Sequence, residues 1–199
     1  MNQRLDNRTA DTDRTFGFRV EPGDGGAPAF RRLEAREALA EGGTCSLEGL
    51  RDASAAPALA FVTSEDLRGP GCHLGAVLAA IDLVLPSLDI RAAGSGAAVP
   101  ARFAVGGRAL APADTDLRTL GVVLEKNGEA LAFGAGAAAS GHPASAVAAL
   151  VNHLAGQGEF LPAGSLVLSG GITAPVPVQP GDALTLRAQH MGSLGIRFV

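Results

Sequence analysis

Apolar and polar residues change period several times along the chain, and each change marks an element. Residues 16–20 alternate Phe16, Phe18 and Val20 with Gly17 and Arg19, the two-residue period of a strand with one buried face. Pro22 to Gly26 breaks that run into a loop. Over 30–40, Leu33, Ala35, Ala38 and Leu39 fall among Arg and Glu, and Gly42-Gly43 follows, so a short helix is expected with Glu34 and Glu37 facing water. Residues 59–62 read as a strand and 67–71 as a turn. The Ala- and Leu-rich stretch 73–83 predicts a helix ending before Pro86, and 88–90 is extended again.

The second half is dominated by strands. Residues 102–110 and 117–136 carry a β pattern, and Asn127-Gly128 supplies the positive backbone angles that a tight hairpin needs. Over 143–155, Val147, Leu150, Val151 and Leu154 form one helical stripe, with Pro143 near the start and Gly156 as the stop. A strand at 165–168 and a turn-rich link at 175–181 follow. The chain closes with 184–188 against 194–198, where Leu184, Leu186, Leu194, Ile196 and Phe198 alternate. Many strands, few helices and no β-α-β rhythm predict an α+β fold with antiparallel or mixed sheet. The expected organisation is a polar tail over 1–15 and a single domain over 16–199.

Composition narrows the partners. The chain has 199 residues, 47% of them hydrophobic, enough for one substantial core. Sixteen Lys and Arg against 20 Asp and Glu provide no single-sign field for nucleic acid or an anionic membrane, and there is no Trp or Tyr for stacking on bases. Cys45 and Cys72 are too few for a disulfide framework and lack C-x-x-C spacing. The polar start carries no apolar segment behind a basic region, and no apolar run is long enough to span a bilayer, so a cytoplasmic protein is expected.

The generic catalytic motifs fall short. Gly134-x-Gly136-x-x-Ala139 has dinucleotide spacing but ends a hairpin strand instead of opening a β-α-β unit. Ser169-Gly170-Gly171 lacks the nucleophile elbow of a serine hydrolase. His73, His142, His153 and His190 show no metal-ligand spacing and suit capping, surface or core roles.

A set of longer motifs is more specific. Asp66-Leu67-x-Gly69-Pro70-Gly71, Val77 to Asp82, Leu124-Glu125-Lys126-Asn127-Gly128-Glu129, Gly141-His142-Pro143, Leu161-Pro162-Ala163-Gly164, Ser169-Gly170-Gly171-Ile172-Thr173, Pro180-Gly181-Asp182 and Gly195-Ile196-Arg197-Phe198 stand in this order. The region 59–199 that holds them resembles the 2-keto-4-pentenoate hydratase and 4-oxalocrotonate decarboxylase family of the fumarylacetoacetate hydrolase superfamily. The resemblance implies a rolled or sandwich-like mixed β structure with flanking helices, commonly a homo-oligomer. It also implies lyase chemistry on small 2-oxo or 2-hydroxydienoic acids, as in aromatic-compound catabolism.

In that family a Glu-x-Glu pair and a third Glu hold one Mg²⁺ or Mn²⁺, hard cations suited to oxygen ligands. Counting from Phe61, the pair falls on Ala56 and Ala58, and the third position is Asp89. A Gly-Phe-Lys lysine falls on Arg19, which can clamp a carboxylate but stays protonated and cannot act as a base. The family's serine loop ahead of Arg102-Phe103 is absent and the N-terminal part is short. Arg19 and Thr173 are therefore the candidate substrate-binding residues, Arg19 the candidate catalytic one, and Asp89 a weak metal position. An alternative register would let Glu34, Glu37 or Glu48 supply the ligands.

These departures imply a non-catalytic or repurposed member without a resident cofactor, Mg or Mn entering only at a residual site. A homo-oligomer or an assembly mixed with an active relative is the expected partner state, a small carboxylic or 2-oxo acid the expected ligand. The alternatives are an active hydro-lyase or decarboxylase with a reduced metal site and a metal-independent enzyme for small carboxylates.

Overall fold

The computed structural model describes residues 15–22, 27–94 and 99–199, with the side chains of 15, 16 and 22 left aside. Of the polar tail expected over 1–15 only Thr15 is among them, and the loop expected after Pro22 lies outside them. The elements are β1 (Thr15–Pro22), β2 (Pro28–Glu34), β3 (Ala38–Leu39), β4 (Thr44–Cys45), β5 (Ser54–Thr63), α1 (Leu74–Ala80), β6 (Ile81–Arg91), β7 (Ala101–Val105), β8 (Gly121–Lys126), β9 (Glu129–Ala135), α2 (Ser145–Ala155), β10 (Leu166–Ser169), β11 (Val176–Pro177), β12 (Ala183–Ala188) and β13 (Gly192–Phe198). This is the α+β architecture expected from the pattern.

The larger sheet runs β2-β1-β10-β5-β6-β7-β3, with β11 paired to β5. It mixes directions: β1 is parallel to β10 and β3 to β7, while β5, β6 and β7 are antiparallel neighbours. Its two edges, β2 and β3, are separated in sequence only by a 3-10 turn at Ala35–Glu37. Six strand spacings in a flat sheet would put those edges about 29 Å apart. Four residues span at most about 14 Å. The sheet must therefore roll up, and Leu33 of β2 indeed packs in one cluster with Phe103 of β7, Ala60 of β5 and Leu168 of β10. That cluster is the inside of the roll.

The outward face of the roll builds the main core. Leu59, Phe61, Val84, Leu88 and Ile90 meet the α2 stripe of Val147, Leu150, Val151 and Leu154 and the second sheet, β4-β13-β12-β8-β9, through Leu124, Leu184, Leu186, Leu194, Ile196 and Phe198. Burying each such side chain is worth about 1.5–3 kcal/mol. The β8–β9 hairpin turns at Asn127 and Gly128, whose φ values of 54° and 88° are those the turn requires. Asp182 reinforces it: Asn127 Nδ2 donates to Asp182 Oδ1 at 2.8 Å, and Lys126 Nζ lies 2.8 Å from Oδ2.

Three expectations need correction, the first being Glu37, expected to face water but buried against Arg31. Residues 30–40 are not a helix but β2, the 3-10 turn and β3, because pairing with β1 on one edge and β7 on the other outweighs a helix-compatible spacing of apolar residues. The helix expected over 73–83 stops at Ala80, since Ile81 onward extends as β6 beside β5.

Candidate functional site

Along β1, alternation sends Phe18 and Val20 to the outer core and Arg19 to the inside of the roll. Along β5, Ala56, Ala58 and Ala60 share the inner face, and along β6 Leu85, Ser87 and Asp89 face them. Ala56 stands directly opposite Asp89, and Ala58 opposite Ser87. The three positions assigned to metal ligands by family resemblance thus converge, and so does Arg19. Thr173 stands apart from these contacts: its hydroxyl donates to the Ala174 carbonyl at 2.9 Å, and its methyl lies beside Gly134.

Arg19 is 1% exposed, and its guanidinium Nη2 lies 2.8 Å from Asp89 Oδ1. That approach is an ion pair without hydrogen-bond alignment; Nη2 donates instead to the Arg102 carbonyl at 3.3 Å. Asp89 Oδ2 lies 3.3 Å from Arg91 Nε, Arg91 Nη1 grips Glu21 Oε2, and Glu21 Oε1 returns to Arg19 Nε at 3.7 Å. Two guanidinium and two carboxylate groups form a closed, neutral ring at one end of the inner face. Arg19 Nε and Nη1 find no hydrogen-bond acceptor among the described residues.

Glu21 is the ring's outlet. It lines a cleft of about 470 Å³ with Val20, Ser140, Ser145, Ser169 and Gly170. Burial, and then the charge of Asp89, push its carboxyl above the ordinary range, against the opposing pull of Arg91, Arg19 and Arg31. Glu21 and Arg91 do not stand out in the sequence. Their signal was available as the i, i+2 partners of Arg19 and Asp89 on strands of known face.

The other candidates take structural parts. Glu37 pairs with Arg31, and Glu34 with Arg36 at 2.5 Å, while Glu48 accompanies a surface turn. None joins Asp89, so the alternative register for the ligands finds no support. Ser169 Oγ donates to the Pro143 carbonyl at 2.8 Å. His73 Nδ1 caps α1 by accepting from Ala76 N, His142 Nδ1 accepts from Ala144 N, and His153 stacks on Phe30 with centroids 4.4 Å apart. Burial pushes both Cys45 and Cys72 thiols upward, away from thiolate reactivity.

The inner face does not fit a divalent metal. Mg²⁺ demands near-octahedral oxygen at about 2.0–2.1 Å. Here Ala56 and Ala58 offer only methyl groups, and the Asp89 and Glu21 carboxylates are both already paired with the Arg19 and Arg91 guanidinium groups. Among the described residues no group of three His, Cys, Asp or Glu side chains gathers as such an ion requires. No helix among them is long and apolar enough to cross a membrane.

No protein-family model matches the chain. It is 50% identical over 153 residues to the 4-oxalocrotonate decarboxylase of Pseudomonas sp. strain CF600, covering 71% of this chain and 58% of that protein. The chain thus spans under two thirds of that relative's length. With the 2-hydroxyhexa-2,4-dienoate hydratase of Comamonas testosteroni it shares 32% identity over 185 residues, 86% of this chain and 70% of the hydratase. The 4-oxalocrotonate decarboxylase of Pseudomonas putida G7, solved with magnesium and adipate, superposes with a TM-score of 0.88 at 39% identity, over 94% of this chain and 79% of that one. Sequence and rolled fold therefore agree, and the chain belongs to the family of 2-hydroxydienoate hydratases and 4-oxalocrotonate decarboxylases.

Proposed function

We propose that this chain keeps the framework of lyases acting on small 2-oxo or 2-hydroxydienoic acids, as in aromatic-compound catabolism, but does not carry out their metal-assisted reaction. Its role in this reading is through assembly, with copies of itself or with an active relative. One observation carries the proposal: the sole carboxylate at the three family ligand positions, Asp89, is paired with Arg19 beside two alanines. A guanidinium is always charged near neutral pH and offers neither a Lewis acid's open coordination site nor a base. Purified chain is to be supplied with Mg²⁺ or Mn²⁺ and either 2-hydroxypenta-2,4-dienoate or 4-oxalocrotonate, followed by metal analysis and native mass. The expected result is no turnover, no stoichiometric metal and a multi-subunit mass. Turnover with bound metal would return the chain to the active lyases, with Asp89 as a reduced site.

A second reading is favoured by two Arg19 nitrogens, Nε and Nη1, that are buried without a hydrogen-bond acceptor among the described residues. They suit a metal-independent pocket in which Arg19 clamps a small carboxylate. In that case acetate or adipate binds by calorimetry and Arg19→Ala abolishes it; undiminished binding to the variant removes this reading.

A further inference from the structure

We infer that the Arg19 guanidinium occupies the charge position that family resemblance assigns to a divalent cation. It is this built-in cation, more than the loss of carboxylates at 56 and 58, that closes the roll to a metal ion. The inference rests on the proposed function, in which the chain as it stands holds no such ion.

Charge count argues first. The ring of Arg19, Asp89, Arg91 and Glu21 is neutral, and its innermost members, Arg19 and Asp89, have side chains only 1% and 5% exposed. A second, doubly charged cation on Asp89 would leave a net positive charge there, which burial penalises heavily. Occupancy argues next. Asp89 Oδ1 is 2.8 Å from Arg19 Nη2, and Oδ2 is 3.3 Å from Arg91 Nε. A metal at coordination distance from either oxygen must displace a guanidinium that cannot lose its proton.

The orphan donors argue most specifically. Arg19 Nε and Nη1 are buried without an acceptor, and Ala56 stands across the strand pair from Asp89, with Cβ atoms of such pairs about 4.5–5.5 Å apart. Glutamates introduced at 56 and 58 would therefore meet guanidinium N–H groups that lack a hydrogen-bond acceptor before they met a metal. Charge-assisted pairs of this kind are about twice as strong as neutral hydrogen bonds. Supplying the two carboxylates alone thus extends the ion-pair network instead of building a metal centre, whereas Arg19→Lys removes the fork and leaves one compact, mobile charge.

The test measures Mn²⁺ binding by the electron paramagnetic resonance of free Mn²⁺, for the unaltered chain, Ala56→Glu/Ala58→Glu, and Ala56→Glu/Ala58→Glu/Arg19→Lys. The expected order is no binding, weak binding, and binding at least tenfold tighter in the triple variant. Equal affinity of the double and triple variants overturns the inference, and so does absence of binding in both. If the unaltered chain binds Mn²⁺ stoichiometrically, it is the proposed function that fails. Should the paired charges unfold the roll, as read by far-ultraviolet circular dichroism, Ala56→Glu with and without Arg19→Lys gives the same comparison at lower affinity. Tighter Mn²⁺ binding with Arg19→Lys then supports the inference, and equal or absent binding overturns it.

Discussion

Replacing Arg19 by Met, Asp89 by Asn, and both together isolates the ion pair inside the roll. Unit charges about 4 Å apart at an effective dielectric of 20 attract by about 4 kcal/mol. Arg19→Met forfeits that attraction, but Asp89 keeps Arg91 at 3.3 Å and the two unpartnered donors of Arg19 disappear. Each such buried orphan costs about 1–3 kcal/mol. Taking each orphan at about 1 kcal/mol, the low end of that range, leaves a net loss of about 2 kcal/mol. Asp89→Asn leaves Arg19 with the Arg102 carbonyl at 3.3 Å and, among the described carboxylates, Glu21 at 3.7 Å, and should cost about 3 kcal/mol, nearer the value for breaking a buried pair. The double variant, with neither charge stranded, should lose about 1 kcal/mol, so the coupling is about 4 kcal/mol. Equilibrium urea unfolding of the four proteins at fixed protomer concentration reads these values, with unchanged slopes confirming that the native state persists. Additive losses, with a coupling below about 0.5 kcal/mol, would refute the buried pair and with it the charge ring.

Three further expectations follow from other contacts. Asn152 reaches from α2 to clamp the loop that leads into α1, accepting from Cys72 N at 2.9 Å and donating to Cys72 O at 2.8 Å, so Asn152→Ala should cost about 2 kcal/mol in urea unfolding and speed hydrogen exchange at Cys72. A Cβ at Gly17 would lie 2.2 Å from the Leu166 carbonyl, so Gly17→Ala should force β1 away from β10 and lower the melting temperature, whereas Gly128→Ala, with open space but φ of 88°, should cost only about 1–2 kcal/mol. The Asp182 carboxyl is held below its ordinary value chiefly by the hydrogen bond with Lys126, helped by Asn127 and the Gln179 amide and opposed by burial. Its stabilisation is present above the unfolded value of about 4 and is lost as pH falls through the lower folded value. Asp182→Asn should therefore reduce the melting temperature at neutral pH and flatten its decline below about pH 4. An unchanged acid slope would rule Asp182 out as its source.

Local pattern decided the parts of this protein that depend on neighbours in sequence. Asn127-Gly128 could adopt the positive φ values of a tight turn, the 147-150-151-154 stripe could bury only one side of a helix, and Leu184 to Phe198 could alternate only as paired strands. The ordered motifs from Asp66 to Phe198 likewise carried the family. The strand at 28–34 was not legible, because its edge pairing to β1 and the return to β7 through three residues are properties of a rolled sheet, not of the segment. Nor was the fate of the site. Sequence alone placed alanines at two ligand positions and an arginine near a third, which leaves that arginine free to face a substrate, solvent or a carboxylate. Only closure of the roll brought residue 19 onto residue 89 and residue 21 onto residue 91, because period-two alternation fixes which face a side chain takes while the curvature of the whole sheet fixes what it meets there.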